Sequence, residues 1–249
     1  MSDELVHYDV ADGVATITLD SPHNRNALSR ALVGQLFEAL DRSEDDEDAR
    51  VVVIRSADRV FCSGADLREA AGEGMADGTK ALVVLQRRIL THPLPVVTRL
   101  AGPVRAGGLG IVAASDVVVC GDDVTFAFTE SRLALAPAVI SLTVLPRLTS
   151  RAAADTFLTG RTFGAPEAAA MGLVTRTVPP GELDDAVAEV CRELGLAHPQ
   201  GLRETKALLA RDLVAHLDAH AEEMAALSAR LFGSDEARAA MTAFLERRK

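Results

Sequence analysis

The stretch VFCSGADL at residues 60–67 decides the fold. It follows an apolar run at 50–55 that predicts a buried strand, and it precedes a segment that predicts a helix. Small side chains at such a turn leave backbone N–H groups uncovered, and Asp66 stands where it can cap the first helical turn. The turn therefore suits an anion or a developing oxyanion, although tight packing alone would also account for its small residues.

A second turn of the same kind follows a second predicted strand. Pro93 and Pro95 bound the apolar run 96–100, and the glycine-rich stretch AGPVRAGGLG at 101–110 comes directly after it. A short apolar helix and a strand at 116–120 are predicted next. The use of strand, turn, helix and strand twice predicts an α/β fold with parallel strands joined by crossovers.

The two ends of the chain have different patterns. At the beginning, Asp12-Gly13 separates two strand-like runs at 5–10 and 14–19, which predicts a β-hairpin. From Glu182 to Lys249 the pattern is helical and rich in Ala and Leu. We therefore predict a core at 1–181 and a helical region at 182–249 that packs on the core or on a neighbouring subunit.

Composition excludes several function classes. The chain has 249 residues, a net charge of −10 and 4% aromatic residues, which argues against a nucleic-acid or anionic-membrane surface. Three cysteines, Cys62, Cys120 and Cys191, show no paired or metal-type spacing, so neither a disulfide nor a metal is predicted. The first residues lack an apolar signal core, and no apolar run reaches membrane-spanning length. We expect a cytoplasmic protein.

Six segments, in this order, resemble the crotonase (enoyl-CoA hydratase/isomerase) superfamily over nearly the whole chain. They are NRNAL at 24–28, FCSGADL at 61–67, AGPVRAGGLGIVAASD at 101–116, FAFTESRLALAPAVIS at 126–141, LTGRTFGAPEAAAMGLV at 158–174 and MTAFLERRK at 241–249. The resemblance implies a crotonase-like spiral of repeated ββα units with an all-helical C-terminal oligomerisation region. It also implies a homotrimer or homohexamer whose C-terminal helices cross onto a neighbouring subunit.

The same resemblance implies a site for an acyl-CoA thioester. Its two oxyanion donors fall on the backbone N–H groups of Ala65 and Gly107, where a thioester carbonyl becomes an enolate. Coenzyme A enters only as part of the substrate, with no permanently bound cofactor. It would lie along Arg25, Ala27, Ala65, Asp66 and Leu67, with Arg247 reaching the coenzyme A of the adjacent subunit. Arg25 is the candidate phosphate contact, or else a solvated loop arginine.

One family position departs from the pattern. Hydratases of this family place two glutamates around the bound water; the first falls on Gly110, which has no side chain, and the second on Glu130. One carboxylate can still move a proton, because the same base can take it up and return it. Three hypotheses follow: a hydratase that uses Glu130 alone, which we favour, an enoyl-CoA isomerase, or a non-catalytic acyl-CoA-binding protein.

Neighbouring residues bear on the substrate. The stretch 130–141 resembles a branch of the family that acts on branched glutaconyl-CoA-type thioesters. Arg105 or Arg132 could then meet a substrate carboxylate, or each could form an ordinary salt bridge. Cys62 lies beside the first turn, but no histidine accompanies it, and we interpret it as a small buried filler rather than a nucleophile.

Overall fold

The computed structural model describes residues 3–72 and 75–246. Its strands are β1 (Val6–Ala11), β2 (Val14–Leu19), β3 (Val51–Ser56), β4 (Val96–Leu100), β5 (Val104–Arg105), β6 (Val117–Gly121), β7 (Thr125–Ala127), β8 (Phe163–Gly164) and β9 (Arg176–Val178). Its helices are α1 (Arg30–Asp45), α2 (Leu67–Gly72), α3 (Ala76–Thr91), α4 (Gly108–Ala114), α5 (Ala138–Val144), α6 (Ser150–Thr159), α7 (Ala165–Met171), α8 (Leu183–Gly195), α9 (Pro199–Phe232) and α10 (Asp235–Glu246). Across these two ranges, no helix is both long enough and apolar enough to cross a membrane.

The main sheet has the strand order β1-β2-β3-β4-β6-β9. β1 and β2 form the predicted hairpin, with Ala11 opposite Val14 and Gly13 at a φ of +80° in the turn. All the other pairs in this sheet are parallel, and helices lie between the strands along the chain. The prediction of an α/β fold with parallel crossovers is therefore confirmed.

Both faces of the main sheet are buried, as the continuous apolar runs of its strands require. Successive residues of β3 point to opposite faces, so Val52 and Ile54 join one apolar cluster and Val51 and Val53 join another. The first cluster includes residues of α1, α3, α4 and α5, and the second is completed by α8. Because α8 covers one face of the sheet, the helical region after Glu182 begins as a layer of the core.

A small sheet of β5, β7 and β8 carries the chain towards the 3-10 turn Glu130–Leu133. β5 pairs in parallel with β7, and β7 pairs antiparallel with β8. Phe126 and Phe163 stack with ring centroids 5.6 Å apart, and Phe128 lies 5.8 Å from Phe163. This aromatic packing fixes the strand that leads directly into Glu130.

The last two helices pack on the core of their own chain. α9 packs along α3 and α5, and α10 packs on the 3-10 turn Glu130–Leu133, all within one chain. Ala237 and Met241 of α10 are buried against Leu133 and Leu135. The apolar face of α10 is thus covered by its own core, and the crossing of C-terminal helices onto a neighbouring subunit stays a prediction.

A buried ion pair holds the start of α9 in place. Lys206 Nζ lies 2.8 Å from Asp116 Oδ2 and also donates to the carbonyl oxygens of Ile89 and Leu94, at 3.0 Å each. Asp116 Oδ2 accepts from the backbone N–H of Val96 as well, at 2.7 Å. Since every donor finds an acceptor, the charge of Lys206 is tolerated inside the core.

Candidate active site

The two glycine-containing turns meet side by side. Backbone pairing between residues 62 and 104 joins them, and the N–H of Arg105 donates to the carbonyl of Cys62 at 2.9 Å. Gly64 has a φ of +98°, and a Cβ there would lie only 2.9 Å from the Cβ of Ala106. Glycine is therefore required at position 64 both by conformation and by the close approach of the second turn.

This contact brings the amides of Ala65 and Gly107 together. A Cβ built on Gly107 would stand 3.9 Å from the amide nitrogen of Ala65. Within residues 3–72 and 75–246, neither N–H donates a hydrogen bond, and both residues line the same cavity. Two unpartnered amides that line one cavity can stabilise negative charge on an oxygen that reaches both of them, without reorganising.

Glu130 lies in the wall of this cavity. Its side chain is only 9% exposed, and Oε2 has no hydrogen-bond partner among the described residues. Burial raises the pKa of Glu130 to about 7, opposed by a hydrogen bond from its own backbone N–H. A carboxyl group with a pKa near neutrality can both accept and return a proton. This burial shows that Glu130 is not a surface glutamate.

Gly110 lies on α4, three residues beyond Gly107 and away from the cavity wall. A Cβ built on it would stand 3.0 Å from Gln86 Cδ and Oε1 and from Ile140 Cγ2. The space that a glutamate at 110 would need is therefore already occupied by the two neighbouring side chains.

Gln86 is a residue that the sequence interpretation missed. It is fully buried, and its Nε2 donates to the carbonyl oxygens of Leu82 at 3.1 Å and Val139 at 3.3 Å. Its Oε1 accepts from Thr143 Oγ1 at 2.6 Å. All of its polar atoms are satisfied, so Gln86 ties α3 to α5 behind the cavity. Its position on an apolar helix face gave no signal of this role.

The early loop is bonded directly to the first turn. The carbonyl of Arg25 accepts from the N–H of Ser63 at 3.1 Å, and the carbonyl of Gly64 accepts from the N–H of Leu28 at 2.8 Å. Asn26 is buried and donates to the carbonyl of Val60 at 2.9 Å. The resemblance placed these two segments along one ligand path, and the structure makes them neighbours.

The residues expected along coenzyme A all line the cavity, except Arg247, which lies outside the described residues. Asp66 caps α2 as predicted, since its Oδ1 accepts from the N–H of Arg68 at 2.9 Å, while Oδ2 accepts from Asn24 Nδ2 at 3.1 Å. Arg25 is exposed, with no ion pair to any described residue. Its guanidinium is therefore available to a ligand.

The other three candidates are used differently. Arg105 lines the cavity, but its guanidinium donates to Thr125 O at 2.5 Å and Thr125 Oγ1 at 2.9 Å. Arg132 is exposed outside the cavity wall and donates to the carbonyl of Thr159 at 2.9 Å. Cys62 is fully buried, which raises the pKa of its thiol to about 12, so its prediction as an inert filler is confirmed.

The cavity is large, with a volume of about 880 Å³. Its walls come from the early loop, both turns, α3, the segment 129–140 and the ends of α9 and α10. Among the described lining residues the carboxylates are Asp66, Glu130 and Glu246. Because Asp66 caps a helix and Glu246 is exposed, Glu130 is the carboxylate placed for chemistry in the interior.

The fold and the paired amides define a member of the crotonase superfamily. The chain belongs to the enoyl-CoA hydratase/isomerase family, whose family model matches residues 9–249. A crystal structure of an enoyl-CoA hydratase from Mycobacterium avium is similar over 99% of this chain and 98% of that one, with 44% identity and a TM-score of 0.92. A protein named as a putative enoyl-CoA hydratase from Thermus thermophilus is 35% identical over 79% of this chain and 80% of its own length. A probable enoyl-CoA hydratase from Rhodobacter capsulatus is 33% identical, covering 100% of this chain and 97% of the relative.

Proposed function

We propose that this protein is an enoyl-CoA hydratase that adds water to the α,β double bond of an acyl-CoA thioester, or removes it. One observation carries the proposal: Glu130 Oε2 is buried without a partner among the described residues, in the wall of the cavity that the amides of Ala65 and Gly107 also line. The names of similar proteins support the same activity.

The proposed reaction uses these three groups in sequence. The Glu130 carboxylate takes a proton from water as the oxygen of that water bonds to the β-carbon. The electron pair of the double bond moves towards the thioester, and the resulting enolate oxygen is held by the N–H groups of Ala65 and Gly107. Glu130 then returns the proton to the α-carbon, so that one H and one OH have been added in total.

The coenzyme A portion is proposed to lie along the early loop and the first turn. Arg25 would contact a phosphate group, because its exposed guanidinium lies at the cavity edge without an ion pair to any described residue. Ala27, Asp66 and Leu67 would line the path, with Arg247 as a further proposed contact.

The protein is further proposed to form a homotrimer or homohexamer and to act in the cytoplasm. Light scattering of the purified protein tests the assembly.

An enoyl-CoA isomerase is the second candidate, and the filled space beside Gly110 favours it. With no second carboxylate able to enter from α4, Glu130 could move a proton between the α and γ carbons without any water. The two activities differ in product: hydration removes the conjugated enoyl thioester, whereas isomerisation of a 3-enoyl thioester creates it.

The test follows enoyl-thioester absorbance with crotonyl-CoA and 3-methylglutaconyl-CoA, for wild type beside Glu130→Gln. Glu38→Gln, an exposed change on α1, is the matched control. Hydration would be supported if the absorbance falls with wild type and with Glu38→Gln but not with Glu130→Gln. Micromolar binding of both thioesters without any turnover would leave the isomerase and the non-catalytic binder, which a 3-enoyl-CoA substrate separates.

A further inference from the structure

Three helices enclose the interior of the cavity beyond Glu130. α3 contributes Thr79 and Leu82, α5 contributes Val139 and Ile140, and α9 contributes residues near its end. The described residues that these helices place in the wall include no Lys, Arg or His. This interior is therefore an apolar chamber suited to an acyl chain.

Ser228 is a polar side chain in this chamber without a hydrogen-bond partner among the described residues. Ser228 of α9 is only 6% exposed and lines the cavity, yet its hydroxyl makes no hydrogen bond to any described residue. The hydroxyls of Thr79 and Thr242, also in the cavity wall, are occupied: Thr79 Oγ1 donates to Ala76 O, and Thr242 Oγ1 to Arg238 O, each at 2.9 Å. A hydroxyl in the wall of a cavity without a protein partner can form a hydrogen bond to a ligand at no cost to an existing protein bond.

The spacing along α9 fixes where Ser228 stands. Four residues before it, Met224 Sδ lies 3.9 Å from Ser141 Oγ of α5. Four residues after it, Phe232 packs with Leu133 in the turn that begins with Glu130. Residues four apart on a helix share a face, so Ser228 lies between α5 and the Glu130 turn.

We propose that Ser228 is a specificity-determining residue that hydrogen-bonds a neutral oxygen, a hydroxyl or a carbonyl, carried by the acyl chain beyond its β-carbon. The inference rests on the proposed function, because it assigns a substrate class to the same site. A substrate carboxylate fits this chamber less well, since a buried charge needs a cation and these described helix walls supply none.

The test measures binding of saturated thioesters, which cannot react. Hexanoyl-CoA is compared by calorimetry with its 4-, 5- and 6-hydroxy derivatives and with adipyl-CoA, on wild type, Ser228→Ala and Thr242→Val. Thr242→Val is the matched control, because that hydroxyl lines the same cavity but is already occupied. Wild type should bind at least one hydroxylated thioester about 5- to 10-fold more tightly than hexanoyl-CoA, and more tightly than adipyl-CoA.

Ser228→Ala should abolish the preference for a hydroxylated thioester over hexanoyl-CoA, and Thr242→Val should retain it. A wild type that does not favour any hydroxylated chain, or a preference that survives Ser228→Ala, would overturn the role of Ser228. Tighter binding of adipyl-CoA than of any hydroxylated chain would overturn the choice of a neutral oxygen. Failure of all five thioesters to bind would overturn the proposed function as well, whereas tight binding of hexanoyl-CoA alone would leave that function standing.

Discussion

The amide nitrogen of Ala65 lies 3.9 Å from the point where a Cβ on Gly107 would stand. The two turns therefore lie close enough for a side chain at position 107 to contact the Ala65 amide. Neither residue acts through its side chain, so this site must be tested by filling the space rather than by removing a functional group.

Gly107→Ala should leave the protein folded and nearly inactive. The φ of Gly107 is −51°, which alanine adopts without strain, but the new methyl group would stand 3.0 Å from Leu28 Cδ1 and intrude beside the Ala65 amide. We expect kcat to fall about 100-fold or more, as for loss of one oxyanion donor. Gly34→Ala on α1, where nothing lies within 4 Å, is the control. Equal activity of the two variants would contradict the oxyanion role.

The rate should depend on pH through Glu130. Because burial raises its pKa to about 7, the carboxylate that must accept a proton is lost as the pH falls below 7. We expect kcat/KM for crotonyl-CoA to be constant above about pH 8 and to fall about tenfold per unit below pH 6. A profile that stays flat down to pH 5 would exclude Glu130 as a base with this raised pKa.

Glu130 should also make stability depend on pH. Its pKa in the folded state is raised to about 7 from 4.5, so the protonated form is favoured by folding, and this advantage is lost as the pH rises through 7. Relative to wild type, Glu130→Gln should therefore gain unfolding free energy between pH 5 and pH 8.5, by roughly 3 kcal/mol. Urea denaturation at both values measures this. Glu38→Gln should show no such pH-dependent gain in unfolding free energy. If Glu130→Gln shows none either, the carboxyl group of Glu130 is hydrated and its pKa is not raised by burial.

Gly110→Glu should not create a second catalytic carboxylate. Its first side-chain carbon would already press on Gln86 and Ile140 at 3.0 Å, and the carboxylate would enter a buried network with no cation. We expect thermal unfolding to reveal a loss of roughly 3 kcal/mol, with hydration no faster than in wild type. Gly34→Glu should cost less than 1 kcal/mol. A faster and stable Gly110→Glu enzyme would show that Gln86 gives way easily.

Met241→Asn should change the pH profile through α10. Met241 packs on Leu133 and Leu135 beside the Glu130 turn, so a polar side chain there should let water reach the turn. We expect the acid limb of kcat/KM to move to lower pH, with a smaller maximum. Asparagine adds no charge, and Ala239→Asn on the exposed side of α10 serves as the control. If the acid limb of kcat/KM is identical in the two variants, α10 does not shield Glu130 from water.

The sequence predicts those features that depend on local patterns. Asp12-Gly13 marks the hairpin, Asp66 caps the next helix, and the repeated strand, turn and helix predict the parallel sheet; the structure confirms each. The nearness of Ala65 to Gly107 followed from the family resemblance, because no local rule brings two turns 42 residues apart together.

Other features depend on contacts that no local pattern encodes. Gln86 bonds to Thr143 across 57 residues of chain, and its polar side chain on a buried helix face looks like an exception until that partner is known. The unpartnered hydroxyl of Ser228 appears only once α9 has been placed against α5. The direction of α10 depends on the angle at which the chain leaves α9, which the sequence near Gly233 does not specify.

The packing of α10 on its own chain has a genetic consequence. Glu130 and the helix that packs on its turn belong to one polypeptide. We therefore predict that two chains with different substitutions do not restore each other's activity. Co-expression of Glu130→Gln with Met241→Asn should therefore give only the sum of the separate activities. In an assembly with exchanged helices, each mixed pair would instead contain one intact site, and the measured activity would exceed that sum.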